Sequence, residues 1–214
     1  MKKILLTAVI ASLLILPFAG TALALPEEAA APVPVEEFLP GRVPARTDAA
    51  EAMSPALHAV ALTMINQDAA RFDPDDSAQA WESLYNLLSL YGQLDSRAER
   101  DGDALLLPEE TAWDYAAALG LNPDGLGGLP SGILDRLSYD NVSHRYGVTP
   151  GEDGLSQIEV RSMEHTAAGL QLTGALVFLP DGRDLVHFQA TLQPQDTLFG
   201  WSLGGMSLTD QGLS

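Results

Sequence analysis

The chain has 214 residues, 46% of them hydrophobic, and its formal net charge is −18 at pH 7. This length suits one domain plus a tail, and this much apolar material can build a core. So large a negative charge repels phosphate backbones and argues against nucleic-acid binding, and the absence of cysteine rules out disulfides, thiol nucleophiles and cysteine-ligated metals within this chain.

The first 24 residues have the pattern of an export signal. Lys2 and Lys3 precede an apolar run over residues 4–16, and Ala22-Leu23-Ala24 supplies the small residues that a signal peptidase needs. A retained membrane anchor is the alternative, but this run would rise only ~20 Å as a helix, less than the ~30 Å hydrocarbon core. We therefore expect a signal peptide over residues 1–24 and a soluble periplasmic or secreted protein, with no membrane span once the signal is cleaved.

Residues 25–47 are rich in proline, alanine and glutamate. Each proline removes a backbone donor and restricts the residue before it, which favours extended, poorly packed chain. This composition predicts a disordered tether over residues 25–47. A partner that grips Val33-Pro34-Val35 is the alternative interpretation.

From Thr47 onward, apolar residues recur at intervals of three and four, which predicts helices. The first predicted helix presents Leu57, Val60, Ala61, Met64, Ile65 and Phe72 on one face. The second presents Trp81, Leu84, Tyr85, Leu88 and Tyr91, and Leu87, Leu90 and Leu94 broaden that face. A helix that is apolar around so much of its circumference should be sandwiched between other elements.

Pro108, followed by Glu109 and Glu110, predicts the start of a third helix, which Gly120 ends. The charged residues 95–103 before it predict a solvated loop. Residues 125–132, which are rich in glycine, predict a flexible crossing between two halves of the domain.

Beyond Tyr139 the apolar residues recur at every second position, which predicts strands. These strands lie around residues 158–163, 170–178, 186–192 and 198–208, and the alternative adds an earlier strand at residues 139–148. Pro180-Asp181-Gly182 predicts a three-residue turn that sets Leu176 opposite Val186 and Gly174 opposite Phe188.

The predicted fold is α+β, with about three N-terminal helices packed on a four- or five-stranded antiparallel β-meander, in a single domain over residues 48–210. The last strand carries Trp201-Ser202-Leu203, a tryptophan followed by an alternating aliphatic residue. Over about residues 53–209, this layout resembles the cystatin-like and nuclear transport factor 2-like superfamily. The resemblance implies helices lying on a curved sheet, and roles that range from small isomerases and dehydratases to non-catalytic binding and assembly modules. It assigns no catalytic residue.

No motif in the sequence predicts a catalytic residue, a metal site or a cofactor. Residues 200–204 fit the G-x-S-x-G pattern, but that chemistry needs a strand-to-helix turn and a later histidine, whereas this segment alternates like a strand and no histidine follows. The acidic runs at residues 73–76 and 101–103 lack the ligand spacing of a calcium loop, and the four histidines lack zinc spacing.

The candidate binding residues lie on the predicted polar face of the meander: Arg161, His165, Thr173, His187 and Gln189. In the inferred register, Arg161, Ala175 and His187 lie side by side, and Glu159, Gln171 and Thr191 share their face. In a curved sheet, Arg161 could bind an anion there while His187 moves a proton. The other interpretation is an ordinary solvated sheet face.

We therefore expect an exported, soluble, non-catalytic binding or interaction module of the bacterial cell envelope, whose partner is an unknown envelope protein or small ligand. The alternative is a small isomerase or hydrolase that uses His187 and Arg161 in a sheet-lined pocket. A closed cavity around these two residues, with a carboxylate nearby, favours the enzyme. An open sheet face favours the binding module.

Overall fold

The structure is a computed structural model that describes residues 46–152 and 154–209. The predicted signal peptide, and the predicted tether up to residue 45, lie outside these residues. The described residues all belong to the same compact unit. No helix among them has the length and apolar character needed to cross a membrane.

The described chain is α+β, as predicted. Its helices are α1 (Arg46–Asn66), α2 (Ser77–Tyr91) and α3 (Glu109–Ala118), with short 3₁₀ turns at Gly92–Leu94, Pro123–Gly125 and Ser131–Ile133. Its strands are β1 (Glu99–Asp101), β2 (Ala104–Pro108), β3 (Leu137–Asp140), β4 (Arg145–Val148), β5 (Ser156–Thr166), β6 (Gly169–Phe178), β7 (Arg183–Pro194) and β8 (Trp201–Thr209).

The strands form two antiparallel sheets. The larger sheet has the order β5-β6-β7-β8 and is the predicted meander. The smaller sheet has the order β1-β2-β4-β3 and was not predicted. The expectation of a solvated loop over residues 95–103 is therefore wrong in part, because β1 and β2 form a hairpin that turns at Gly102, whose φ is 60°. The single strand considered at residues 139–148 is a hairpin, β3–β4, in this smaller sheet.

The helices follow the predicted pattern with three corrections. Leu94 lies beyond the end of α2, in the 3₁₀ turn at Gly92–Leu94, and is 75% exposed, so it does not broaden the face of that helix. Helix α1 ends at Asn66, so Phe72 is not on its face, and Ile65 is 38% exposed. Helix α2 begins at the cap Asp76, whose carboxylate accepts hydrogen bonds from the amides of Ala78 and Gln79. Its buried residues surround its whole circumference, which confirms that α2 is sandwiched; it packs against α1, α3 and the smaller sheet.

Helix α1 lies on the apolar face of the larger sheet and comes closest to the two edge strands, β5 and β8. Leu172 and Phe188 from that sheet face belong to the same cluster of buried side chains as Leu57 from α1. Because α2 packs on α1 from outside the sheet, the helical layer covers one sheet face and leaves the other for polar side chains.

The chain between α1 and α2 contributes a short extended segment that pairs with the larger sheet. The amide of Leu208 donates to the carbonyl of Ala70, the amide of Phe72 donates to the carbonyl of Met206, and Arg71 pairs with Ser207. Residues 70–72, called the edge segment below, therefore lie along the outer edge of β8. Phe72 is buried through this attachment and not through a helix face.

The predicted register between β6 and β7 is confirmed, but the predicted reason for it is wrong. Leu176 lies opposite Val186 and Gly174 opposite Phe188. The connecting loop has four residues, 179–182, because Phe178 pairs with Arg183. A β-bulge at Leu185 then restores the pairing that keeps apolar side chains on the core face.

Candidate functional site

The side of the larger sheet away from the helices carries three rows of side chains that face one another across the strands. We call this surface the polar face. The central row runs through Arg71, Ser207, Gln189, Thr173 and Ser162. The flanking rows are Gly205, Thr191, Gln171 and Glu164 on one side and Thr209, His187, Ala175 and Glu159 on the other. Directly opposed residues share a face, so these rows define one surface.

The structure brings together four of the five predicted binding residues: Arg161, Thr173, His187 and Gln189. His165 is the exception, because it pairs with Leu170, whose side chain is in the core. A β-bulge at Arg161 inserts one residue between Val160 and Ser162, and every later side chain of β5 therefore changes face. The prediction that His165 lies on the polar face is wrong for this reason.

Arg161 and His187 form an ion cluster with Asp184, which the sequence analysis missed. Arg161 Nη2 donates to both carboxylate oxygens of Asp184, at 2.8 and 2.7 Å, and Nη1 donates to His187 Nδ1 at 3.2 Å. A guanidinium has no acceptor, so Nδ1 accepts and the proton of the ring lies on Nε2, which is 3.3 Å from Asp184 Oδ2. The charge of Arg161 and Nδ1 of His187 therefore already have partners, and Nε2 lies beside a carboxylate oxygen.

This ion cluster lies on an open surface. The side chains of Arg161, Asp184 and His187 are 42%, 29% and 25% exposed. A guanidinium held by both oxygens of one carboxylate is poorly placed to bind a second anion. Arg161 and His187 therefore lie on an open sheet face and not in a closed cavity.

Two adjacent grooves cross the polar face. The first groove, of about 310 Å³, is lined by Arg71, Gln171, Gln189, Thr191 and Ser207, with Phe72, Gly205 and Met206. The second groove, of about 380 Å³, is lined by Arg161, Thr173, His187, Gln189 and Thr209, with Gly174 and Phe188. Gln189 borders both grooves, which makes it the central residue of the surface.

Several polar groups of the first groove have no hydrogen-bond partner among residues 46–152 and 154–209. These are the side-chain amides of Gln171 and Gln189 and the hydroxyls of Thr191 and Ser207. By contrast, Ser162 and Thr173 bond to each other at 2.6 Å. Each amide can donate and accept, and each hydroxyl can do both, so the groove offers a set of neutral hydrogen-bonding groups to a ligand.

A histidine of α1, which the sequence did not indicate as a site residue, is buried beneath the larger sheet. His58 of α1 is 2% exposed, its Nδ1 lies 2.6 Å from the hydroxyl of Tyr91, and its Nε2 lies 2.9 Å from the hydroxyl of Ser156. These contacts join α1, α2 and β5. We interpret His58 as a structural link, because its satisfied ring nitrogens hold three elements together.

The G-x-S-x-G match has no catalytic geometry. Ser202 lies inside β8 opposite Gln193, is buried, and does not occupy a strand-to-helix turn. Within the described part of the chain, no three His, Asp or Glu side chains group in a way that would hold a metal ion.

No family model matches the chain, and no curated protein or solved structure matches it significantly. The likeness to the cystatin-like and nuclear transport factor 2-like superfamily stays a prediction from layout. The polar face must therefore be interpreted from its own chemistry.

Proposed function

We propose that this chain is an exported, soluble, non-catalytic binding module of the bacterial cell envelope, and that the polar face of the larger sheet is its binding surface. Its partner is a ligand or envelope component that binds through hydrogen bonds. Export is inferred from residues 1–24, with their basic start, apolar run and small residues before Leu25.

One observation carries the proposal of a binding surface. The helical layer packs on the apolar face of the larger sheet, while the opposite face carries two grooves, the first of which presents amides and hydroxyls that have no partner among the described residues. Polar groups arranged across several strands of a rigid sheet can fix the orientation of a ligand without ordering a loop.

The ion cluster supports a non-catalytic role. Arg161 neutralises Asp184, and His187 contacts both, so the three groups satisfy one another on the rim of the second groove. Arg161 is already bound to both oxygens of Asp184, so it is poorly placed to hold an anionic substrate.

The binding surface is tested by blocking it where both grooves meet. Gln189→Trp places a large side chain at that point, on a strand whose conformation accepts tryptophan. We expect the mature protein, purified from cells that express it natively, to retain a bound species in native mass spectrometry. Gln189→Trp should lose that species.

Gln195→Trp is the matched control, because Gln195 is an exposed glutamine in the β7–β8 connection and lines neither groove. It should keep the bound species, and thermal unfolding should show that both variants are folded. Equal retention by both variants, or no bound species in the unmodified protein, would contradict the proposed surface.

Export is tested separately by the mass and N-terminal sequence of the protein in the periplasmic fraction and the medium. We expect a chain that begins at Leu25. An uncleaved chain confined to the cytoplasm would contradict the proposed location.

A further inference from the structure

We propose that the first groove binds a hydroxylated monocarboxylate of the hexuronic acid class, with Arg71 holding the carboxylate and the amide and hydroxyl groups of the groove holding the hydroxyls. This inference rests on the proposed binding function and names the chemistry of its ligand.

Arg71 is held in place by backbone and not by its side chain. Hydrogen bonds on either side of it, from Leu208 to Ala70 and from Phe72 to Met206, are both 2.9 Å long. Its pairing with Ser207 places its side chain in the central row of the polar face, where it lines the first groove. The sheet thus fixes the point at which the Arg71 side chain leaves the backbone, and its donors have no partner among the described residues.

Arg71 is one of three arginines, with Arg100 and Arg183, that form no ion pair among the residues whose side chains the structure describes. Arg97, Arg136, Arg145 and Arg161 each form an ion pair with a carboxylate. Arg71 forms neither an ion pair nor a side-chain hydrogen bond within the described residues, although the chain carries a net charge of −18. An unpaired guanidinium beside a groove attracts an anion and can hold a carboxylate through two parallel hydrogen bonds.

The remainder of the groove suits hydroxyl groups. Gln171, Gln189, Thr191 and Ser207 supply neutral donors and acceptors. At Gly205, opposite Thr191, a Cβ would meet no atom within 4 Å, so there is open space above this part of the sheet.

The volume of the first groove and the negative charge of the chain both favour a small ligand with a single negative charge. A volume of about 310 Å³ is at the lower end of the ~300–1,000 Å³ range of small-molecule sites, which suits one or two sugar rings. Glu164 lies opposite Gln171 in the neighbouring row, and the net charge of the chain repels additional anionic charge. A carboxylate is therefore favoured over a doubly charged phosphate.

The probes are D-glucuronate, D-glucose, acetate and inorganic phosphate, titrated into the ¹⁵N-labelled mature protein. An open groove with one charged contact should bind D-glucuronate weakly, with a Kd on the order of 1 mM. D-glucose lacks the carboxylate and acetate lacks the ring hydroxyls, so both should bind at least about tenfold more weakly. Amide shifts should centre on residues 71, 171, 189, 191 and 207.

Arg71→Gln should weaken D-glucuronate binding about tenfold or more, because a hydrogen bond to a charged group is lost. Arg71→Lys keeps the charge but not the paired donors and should lie between the two. Arg183→Gln is the matched control: Arg183 is exposed, has no side-chain partner among the described residues, and lies outside both grooves. It should bind like the unmodified protein.

A further titration distinguishes two sources of a glucuronate group, a free sugar acid and the end of a glycan. A disaccharide with one terminal glucuronate that binds no tighter than the monosaccharide assigns the groove to a free sugar acid, and tighter binding assigns it to the end of a glycan.

Unchanged affinity in Arg71→Gln, an equal loss in Arg183→Gln, or phosphate binding as tight as D-glucuronate would overturn the inference. If no probe binds while a species sensitive to Gln189→Trp still co-purifies, the ligand class is wrong and the proposed function stands. If that species is absent as well, both fail.

Discussion

Gly174 offers the sharpest test of how the larger sheet is packed. It lies in β6 between Val160 and Phe188 of the neighbouring strands. A Cβ at this position would lie 2.5 Å from the carbonyl oxygen of Glu159 and 2.7 Å from Cζ of Phe188. Both distances are far inside van der Waals contact, so Gly174→Ala forces the ring, the adjacent strand or both to move.

The loss of unfolding free energy expected for Gly174→Ala depends on how far the ring of Phe188 and the backbone of β5 can move. Phe188 is 1% exposed, so its ring has no solvent to move into, and the carbonyl of Glu159 belongs to the backbone of β5. Overpacking of this kind costs ~1–3 kcal/mol, against a gain of ~0.4–1 kcal/mol from reducing the freedom of the unfolded chain. We expect Gly174→Ala to lose about 2 kcal/mol of unfolding free energy and about 4–8 °C in Tm.

Urea unfolding followed by circular dichroism measures this change, and Gly205→Ala is the matched control in the same sheet. A Cβ at Gly205 meets nothing within 4 Å, so Gly205→Ala should lose no unfolding free energy and should gain up to about 1 kcal/mol. In the double variant with Phe188→Leu, the Ala substitution should cost less than it does alone, because the ring contact is already gone. Equal stability of the two alanine variants, or strictly additive losses in the double variant, would refute this packing.

Three further predictions concern titratable groups. A hydrogen bond from Arg97 holds the pKa of Asp95 below its usual value of 3.8, so the pair stabilises the folded state above about that pH and the contribution is lost as the pH falls towards the folded pKa. Arg97→Gln, which also removes the hydrogen bond to Asp114, should therefore lose about 0.5–1 kcal/mol at pH 7 in urea unfolding and less at pH 2; an equal loss at both pH values would contradict this. Burial raises the pKa of Tyr115 to about 12, so the folded state loses stability as the pH rises above 10. In a titration followed by absorbance at 295 nm, Tyr115→Phe should show one fewer tyrosine that ionises at high pH. His187→Ala should change the unfolding free energy by less than about 1 kcal/mol, because its ion cluster is solvated, and a larger loss in urea unfolding would show that the cluster is structural.

The alternation of side chains predicted the larger sheet well but could not predict its bulges. One face of each strand must be buried, so the pattern was enough to place Leu176 opposite Val186. A bulge adds one residue without changing the composition of the strand, and the sequence around Arg161 gives no sign of it. That single residue moved His165 to the other face.

The smaller sheet was missed because its strands are held by pairing and not by a pattern of their own. Glu99, Arg100 and Asp101 are all exposed and make a strand only because β2 lies beside them. Three or four residues are too few for a period of two to be distinguished from chance.

The missing site residues have a similar explanation. Arg71 lies in a connection between helices and reaches the polar face only through its pairing with Ser207. Asp184 was not among the predicted site residues, and the bulge at Leu185 sets it opposite Val177, where it bonds to Arg161. His58 and Ser156 are 98 positions apart, and no local spacing can reveal a contact of that range.

The attachment of the edge segment to β8 has a consequence for how the molecule forms. Arg71 and Ser207 are far apart in the chain, so joining them closes a loop that contains most of the described residues. Hairpins and the α1–α2 pair close much shorter loops and should form earlier on the way to the native state. The edge segment, which carries Arg71, should thus be among the last parts to pair with the sheet. The first groove should be completed only when the rest of the molecule has folded.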